Sequence, residues 1–207
     1  HVEPGVLLAL KEKLSQVKNL WIRIANGDQS QADKFIQKTR DLKELSEHIA
    51  TPALTKLFAV LADVASPALK AGETLGLELA GTILFIENAL DQISRLPSDF
   101  SERAQAMGVR LLALVQGEET VQQSAWMKEI SREAQERQTM GVLVAEMQTS
   151  LRHVEKTLDE YFRYPKKLEI LAPIDGVLHQ IAGALAILDQ EGAAQAIEHT
   201  RQLVQGF

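Results

Sequence analysis

One histidine stands among small residues at a spacing that suits phosphoryl transfer. His179 is followed by Gly183 one helical turn on and preceded by Gly176 nearly one turn back, with Ala182 and Ala186 nearby. A glycine inside a helix is destabilising by roughly 0.5–1 kcal/mol relative to alanine, so two of them indicate a need for close approach. We expect an imidazole that a partner domain can reach in line, which is the geometry that a phosphoacceptor histidine requires.

The helix that must position His179 has one predicted buried face. Hydrophobic residues spaced by three and four from about Pro173 to Gln190 define that face: Ile174, Leu178, Ile181, Leu185 and Leu188. His179 falls outside the face, toward solvent, and Ile187 lies two turns on as a possible apolar docking point. The remaining histidines suit ordinary polar helix faces: His1, His48, His153 and His199.

A heptad helix precedes this one, from about Gly141 to Arg163. The connection from Tyr164 to Ala172 is short, and short connections favour antiparallel packing of neighbouring helices. We expect six hydrophobic side chains to meet between the two helices: Leu151, Val154, Leu158, Leu178, Ile181 and Leu185. The sequence therefore predicts a helical pair as the support for His179.

Helical stripes also fill the rest of the chain, and no strand pattern is present. Pro4 suits the start of the first helix and Gly27 its end. Asp28 then suits a helix N-cap, and Ser66-Pro67 suits an N-cap followed by proline at the first helical position. We predict an all-α fold of antiparallel helical bundles. The expected domains are an N-terminal bundle over residues 1–117 and a second domain over residues 118–207, which begins with an exposed connecting helix.

Composition narrows the classes of function. The net charge of −6 and the scattered Lys and Arg give no basic stripe for nucleic acid. With no cysteine, disulfides and thiolate metal sites are excluded, which suits a cytoplasmic protein. No apolar run reaches membrane-span length, and no phosphate loop, nucleophile elbow or metal helix occurs. We expect no catalytic residue, cofactor, metal or membrane insertion, and the start at His1 without Met suggests a fragment of a longer protein.

The segment from Leu178 to Leu185 resembles the histidine phosphotransfer (HPt) motif, His-x-x-Lys/Arg-Gly. His179 and Gly183 match, whereas Ala182 stands where the motif has a basic residue. A basic side chain there would help to hold the incoming phosphoryl oxygens, and alanine cannot. Lys166 and Lys167 in the preceding connection are candidates to replace it.

A longer resemblance covers about the last third of the chain. The stretches Glu136–Gly141 and Glu155–Arg163 are similar to the N-terminal region of the CheA-like hybrid histidine kinases that control type IV pili. The pilus regulator FimL is similar to that same region, and Leu79–Leu90 matches it more faintly. The resemblance implies an HPt-like four-helix arrangement in the C-terminal part and a cytoplasmic chemosensory role in twitching motility. Its implied partners are a response-regulator receiver domain or other pilus chemosensory proteins.

Three interpretations remain open. The first is a non-catalytic HPt-like scaffold that docks pilus or chemosensory partners, within a parent protein that is a histidine kinase. The second is a working phosphotransfer domain that uses His179. The third is an unrelated helical interaction or dimerisation domain. A match in hydrophobic spacing between Leu14–Ile24 and Leu151–Tyr161 is explained equally by coincidence and by a decayed HPt-like copy in residues 1–117.

Overall fold

The computed structural model describes residues 3–118, 122–164, 171–187 and 200–205, and these ranges contain helices but no strand. The all-α prediction is confirmed. The α-helices are α1 (Pro4–Ala25), α2 (Ala32–Ser46), α3 (Pro52–Ala68), α4 (Glu73–Asp91), α5 (Phe100–Val115), α6 (Ala125–Arg163) and α7 (Ala172–Ile187), with short 3-10 helices at Gln29–Gln31 and Ile93–Arg95. Residues 200–205 are also helical.

The chain divides into two compact units, which we call unit 1 (His1–Gln138) and unit 2 (Thr139–Phe207). Unit 1 holds α1 to α5 and the first part of α6. In it α3 packs against α2 and α5, while α1 packs against α2 and α4. One continuous core results, with Phe35 and Phe58 among its fully buried side chains.

Local signals set several helix ends as the sequence predicts. Pro4 occupies the first turn of α1, where its missing N–H is not needed. Gly27 follows that helix with a φ of 97°, a conformation that residues with a Cβ rarely adopt. The Asp28 carboxylate then accepts a hydrogen bond from the backbone N–H of Ser30 at 3.2 Å. Asp28 is therefore an N-cap, here of the 3-10 helix that leads into α2.

The prediction of a helix start at Ser66-Pro67 is wrong, because α3 continues through both residues to Ala68. Proline lacks the N–H that would donate to the carbonyl four residues back, so α3 loses one helical hydrogen bond at Pro67 and ends one residue later. Ala65 and Ala68 stay buried on the same face as the rest of α3. Burial therefore outweighs the missing bond, and the next helix, α4, begins only at Glu73.

Gly76, Glu78 and Gly81, which interrupt the apolar sequence of α4, each have a packing partner. Trp21 Nε1 donates to the Gly76 carbonyl at 3.2 Å, and a Cβ at Gly81 would lie 3.5 Å from Ile130 of α6. The buried Glu78 carboxylate accepts from Arg110 Nε at 2.6 Å and from the side-chain amide of Gln123. These contacts join α4 to α1, α5 and α6, so the interruptions are positions of close helix contact.

The prediction that the connecting helix is exposed is wrong for its apolar face. Trp126, Met127 and Ile130 pack against the core of unit 1, and Ala134 is buried. The Trp126 ring lies 5.9 Å from that of Phe85, centroid to centroid. Because these side chains are spaced by three and four, the first part of α6 belongs to unit 1. The contact-based boundary thus lies inside α6, further along the chain than the division predicted after residue 117.

Unit 2 has a smaller core among the residues that the structure describes. Val154 of α6 shares it with Ile174 and Leu178 of α7, and Leu158 packs at its edge. The prediction that Leu151 belongs to this core is wrong, because its side chain is 40 % exposed. Leu185 is only half-buried. The antiparallel direction of the pair and the HPt-like four-helix arrangement stay predictions.

Within the described ranges, no helix combines the length and the hydrophobicity that a bilayer span needs.

Candidate functional site

The outer face of α7 carries the candidate site residues together. Gly176, His179, Gly183 and Ile187 are spaced by three and four, so they share one side of the helix, and all four are exposed. A Cβ added at Gly176 or Gly183 would meet no atom within 4 Å. The imidazole therefore stands on an open surface between two positions without side chains. Its role as a phosphoacceptor stays a prediction.

The opposite face of α7 determines which way His179 points. Ile174, Leu178 and Ile181 are almost completely buried, as the spacing predicts. A rotation of α7 that buried His179 would bring these apolar side chains into water, at a cost of about 1.5–3 kcal/mol for each one. The exposure of His179 is thus a consequence of the buried stripe behind it.

A cation lies on the flank of this face that sequence reasoning missed. Asp175, one turn before His179 on α7, accepts hydrogen bonds from Arg201 Nη1 at 2.8 Å and from Gln205 Nε2 at 2.5 Å. Arg201 and Gln205 belong to the helical residues 200–205. Nothing in the sequence pairs Asp175 with a residue 26 positions away, because only the fold brings the two helices together.

The positive charge of Arg201 is already paired with Asp175. An ion pair presents a much weaker field to an incoming phosphate than an isolated guanidinium does. The two lysines proposed from the sequence as replacements for the basic residue of the HPt motif, Lys166 and Lys167, lie outside the described residues. The face around His179 is therefore open, and the cation on its flank is paired with Asp175.

The other histidines do not join this face as far as the structure describes them. His48 is exposed on unit 1, and His153 is exposed on α6. His1 and His199 lie outside the described residues. In the described part of the chain, no three His, Asp or Glu side chains come together in a way that could hold a metal ion.

A groove of about 600 Å³ along α5 in unit 1 was also missed by sequence reasoning. Val109, Trp126 and Met127 contribute to its lining. Its cations are engaged: Arg110 pairs with Glu78, and Arg103 pairs with Asp99 at 2.7 Å. In the sequence, only the position of Val109 off the apolar stripe of α5 hints at this groove. The groove therefore offers apolar surface, and both of its arginines are already paired with carboxylates.

Comparison with known proteins finds a match to a family model. No curated protein and no solved structure matches the chain. The family model described as the FimL C-terminal domain matches residues 134–207, which contain the later part of α6 and all of α7 with its histidine face. The resemblance to the hybrid kinases stays a prediction. On the family-model match, the last third of this chain is similar to the FimL C-terminal domain.

Proposed function

We propose that unit 2 is a non-catalytic docking module of the signalling system that controls type IV pili and twitching motility. In this proposal the outer face of α7 binds a response-regulator receiver domain or another pilus chemosensory protein. The match of residues 134–207 to the FimL C-terminal domain supports the pilus context. The observation that carries the docking role is the open strip of Gly176, His179 and Gly183, which has room for a partner surface.

The chemistry of the strip suits recognition. Ile187 is 80 % exposed and offers an apolar contact, while the imidazole of His179 offers one hydrogen-bond donor and one acceptor when neutral. The missing side chains at Gly176 and Gly183 let a partner helix or loop approach the backbone of α7 closely. A surface with one apolar anchor among small residues binds a complementary partner without any reaction by this chain.

The test is a titration of the whole chain with purified receiver domains of pilus response regulators, by isothermal calorimetry. Gly183→Arg places a long side chain where nothing lies within 4 Å, so the variant should fold normally and bind at least tenfold more weakly. Gly5→Arg is the matched control, since Gly5 is also a helical glycine in open space but belongs to unit 1. Equal binding by both variants would contradict the proposal, and no binding of any receiver would exclude receiver domains as the partner.

A second candidate function is phosphotransfer through His179. In that reaction an imidazole nitrogen attacks the phosphorus of an aspartyl phosphate, an N–P bond forms, and the acyl O–P bond breaks to release the carboxylate. Exposure of His179 favours this candidate, and the pairing of Arg201 with Asp175 disfavours it. Incubation with a phosphorylated receiver distinguishes the two: acid-labile label that is lost in His179→Gln supports transfer. Binding without label supports docking alone.

A further inference from the structure

Helix α6 carries a hydrophobic seam that has a described partner along only half of its length. Seven residues alternate at intervals of four and three, which is the heptad spacing of helices that pair along one side: Met140, Val144, Met147, Leu151, Val154, Leu158 and Tyr161. The last three contribute to the core of unit 2 with α7. We call the first four the exposed half-seam.

The exposed half-seam is open to solvent although it continues a covered one. Met140, Val144 and Leu151 are 44 %, 38 % and 40 % exposed, and Met147 is half-buried. Isolated apolar residues on a surface need no explanation. Four in heptad register are different, because the same register is packed against a helix a single turn further along α6.

The residues that flank the exposed half-seam carry no charge. Gly141 and Gln148 lie along one side, and Leu143 and Ser150 lie along the other. Flanking positions in paired helices usually carry charges that select the partner and its direction. Without them, a second copy of the same helix meets no like charge at the interface.

The spacing of the half-seam is also the same when read from either end. Its intervals are four, three and four, so two antiparallel copies related by a two-fold axis place Met140 opposite Leu151 and Val144 opposite Met147. On the two sides of the seam, the same axis brings Gly141 beside Gln148 and Leu143 beside Ser150, so each flanking pair contains one small residue. A surface that matches itself under a two-fold rotation is what an isologous dimer requires.

We propose that two copies of this chain associate through the exposed half-seam, as an antiparallel pair of α6 helices. The half-seam spans eleven residue steps, or about 16 Å of helix. An interface of that length is small, so the dimer is reversible and depends on concentration. This proposal concerns a different surface from the histidine face of α7, and its tests do not depend on the docking proposal.

The first experiment is sedimentation equilibrium of the whole chain at concentrations up to about 1 mM, where even weak association is measurable. The mass should rise from one chain to two. In Leu151→Glu, both copies place a carboxylate opposite Met140, so the dissociation constant should increase at least tenfold. Phe162→Glu is the matched control, because Phe162 is 69 % exposed on the same helix but lies off the seam. Circular dichroism should show equal helix content in all three proteins.

Disulfide trapping tests the direction of the pair, since the chain has no cysteine of its own. A mixture of Met140→Cys and Leu151→Cys proteins should form a disulfide-linked dimer with one chain of each kind. Either variant alone should stay unlinked, because the two copies of one residue lie about 16 Å apart in the antiparallel pair. A single-chain mass at every concentration, dimers unaffected by Leu151→Glu, or efficient linkage of Met140→Cys alone would overturn the proposal.

Discussion

Two stretches with the same hydrophobic spacing have different environments in units 1 and 2. In α1, the stripe of Leu14, Val17, Trp21 and Ile24 is buried throughout. In α6, the matching stripe begins at the exposed Leu151, reaches the buried Val154 and ends at the half-buried Leu158 and Tyr161. Spacing therefore predicts that a helix is amphipathic, but whether the apolar side is covered depends on which helices lie beside it.

The difference extends to the units as wholes. Unit 1 buries most of its large apolar side chains in one core that α1 to α5 all share, although Leu8 and Val109 are exposed. In the described part of unit 2, Phe162, Tyr164 and Ile187 remain mostly exposed, as does part of the α6 seam. A single exposed apolar side chain needs no explanation, whereas several in one register, as in the exposed half-seam, suit a protein interaction. If unit 2 is the docking module proposed above, unit 1 contributes most of the stability and unit 2 most of the contact with partners. The following predictions test this assignment.

The largest expected effect comes from a phenylalanine in each unit. Phe58 has no exposed surface, whereas Phe162 is 69 % exposed. Phe58→Ala should lower the free energy of unfolding by about 3–5 kcal/mol, because it removes a buried ring and leaves a cavity. Phe162→Ala should change it by less than about 0.5 kcal/mol. Urea unfolding followed by circular dichroism measures both, and similar losses would contradict the assignment.

Two isoleucines on α7 sharpen the comparison within unit 2. Ile181 is buried, whereas Ile187 is exposed on the histidine face. Ile181→Ala should lower the free energy of unfolding by about 2–5 kcal/mol, and Ile187→Ala by less than about 0.5 kcal/mol. For binding, the docking proposal predicts the opposite order of the two variants: Ile187→Ala should weaken the complex with a receiver domain. A stable Ile181→Ala protein would mean that unit 2 lacks a cooperative core.

A smaller effect is expected where α6 is held to unit 1 by charge. Glu87 accepts from Lys18 at 2.9 Å and from Arg137 at 2.8 Å, and so joins α4 to α1 and α6. Glu87→Gln should lower the free energy of unfolding by about 0.5–1 kcal/mol, since these groups are partly exposed and solvent screens them. Glu129→Gln, which breaks an exposed pair with Arg132, should produce no measurable change. In high salt, the difference in stability between Glu87→Gln and Glu129→Gln should disappear.

The smallest effect should appear only with pH, at the turn between α1 and α2. The Ser30 hydroxyl, aided by its backbone N–H and by Arg23, holds the pKa of the Asp28 carboxyl below its usual 3.8. A carboxyl with a lowered pKa in the folded state contributes stability above the unfolded value, and this contribution is lost as the pH falls through the folded value. Between pH 6 and pH 2, the melting temperature of Asp28→Asn should fall less steeply toward acid than that of the unchanged chain. Parallel curves would contradict the prediction.

The sequence predicted best those features that depend on neighbours along the chain. The end of α1 just before Gly27, the cap at Asp28 and the buried face of α7 follow from spacing and backbone preference. Features that depend on a distant element were missed or misassigned. Leu151 was placed in a core that does not cover it, and the pairing of Asp175 with Arg201 joins two separate helical segments. Helical periodicity shows which side of a helix is apolar, but tertiary structure determines what lies against it.

The placement of the aromatic residues makes the two units optically separable. Both tryptophans, Trp21 and Trp126, pack against the core of unit 1, and both tyrosines, Tyr161 and Tyr164, belong to unit 2. Excitation at the red edge of the absorption band selects tryptophan, so the emission then reports on the surroundings of Trp21 and Trp126. Tyrosine absorbance overlaps that of tryptophan, so second-derivative spectra are needed to resolve the signal from the other end of the chain. A single unmodified sample therefore carries one intrinsic spectroscopic probe for each unit, and their melting curves can be compared without any label.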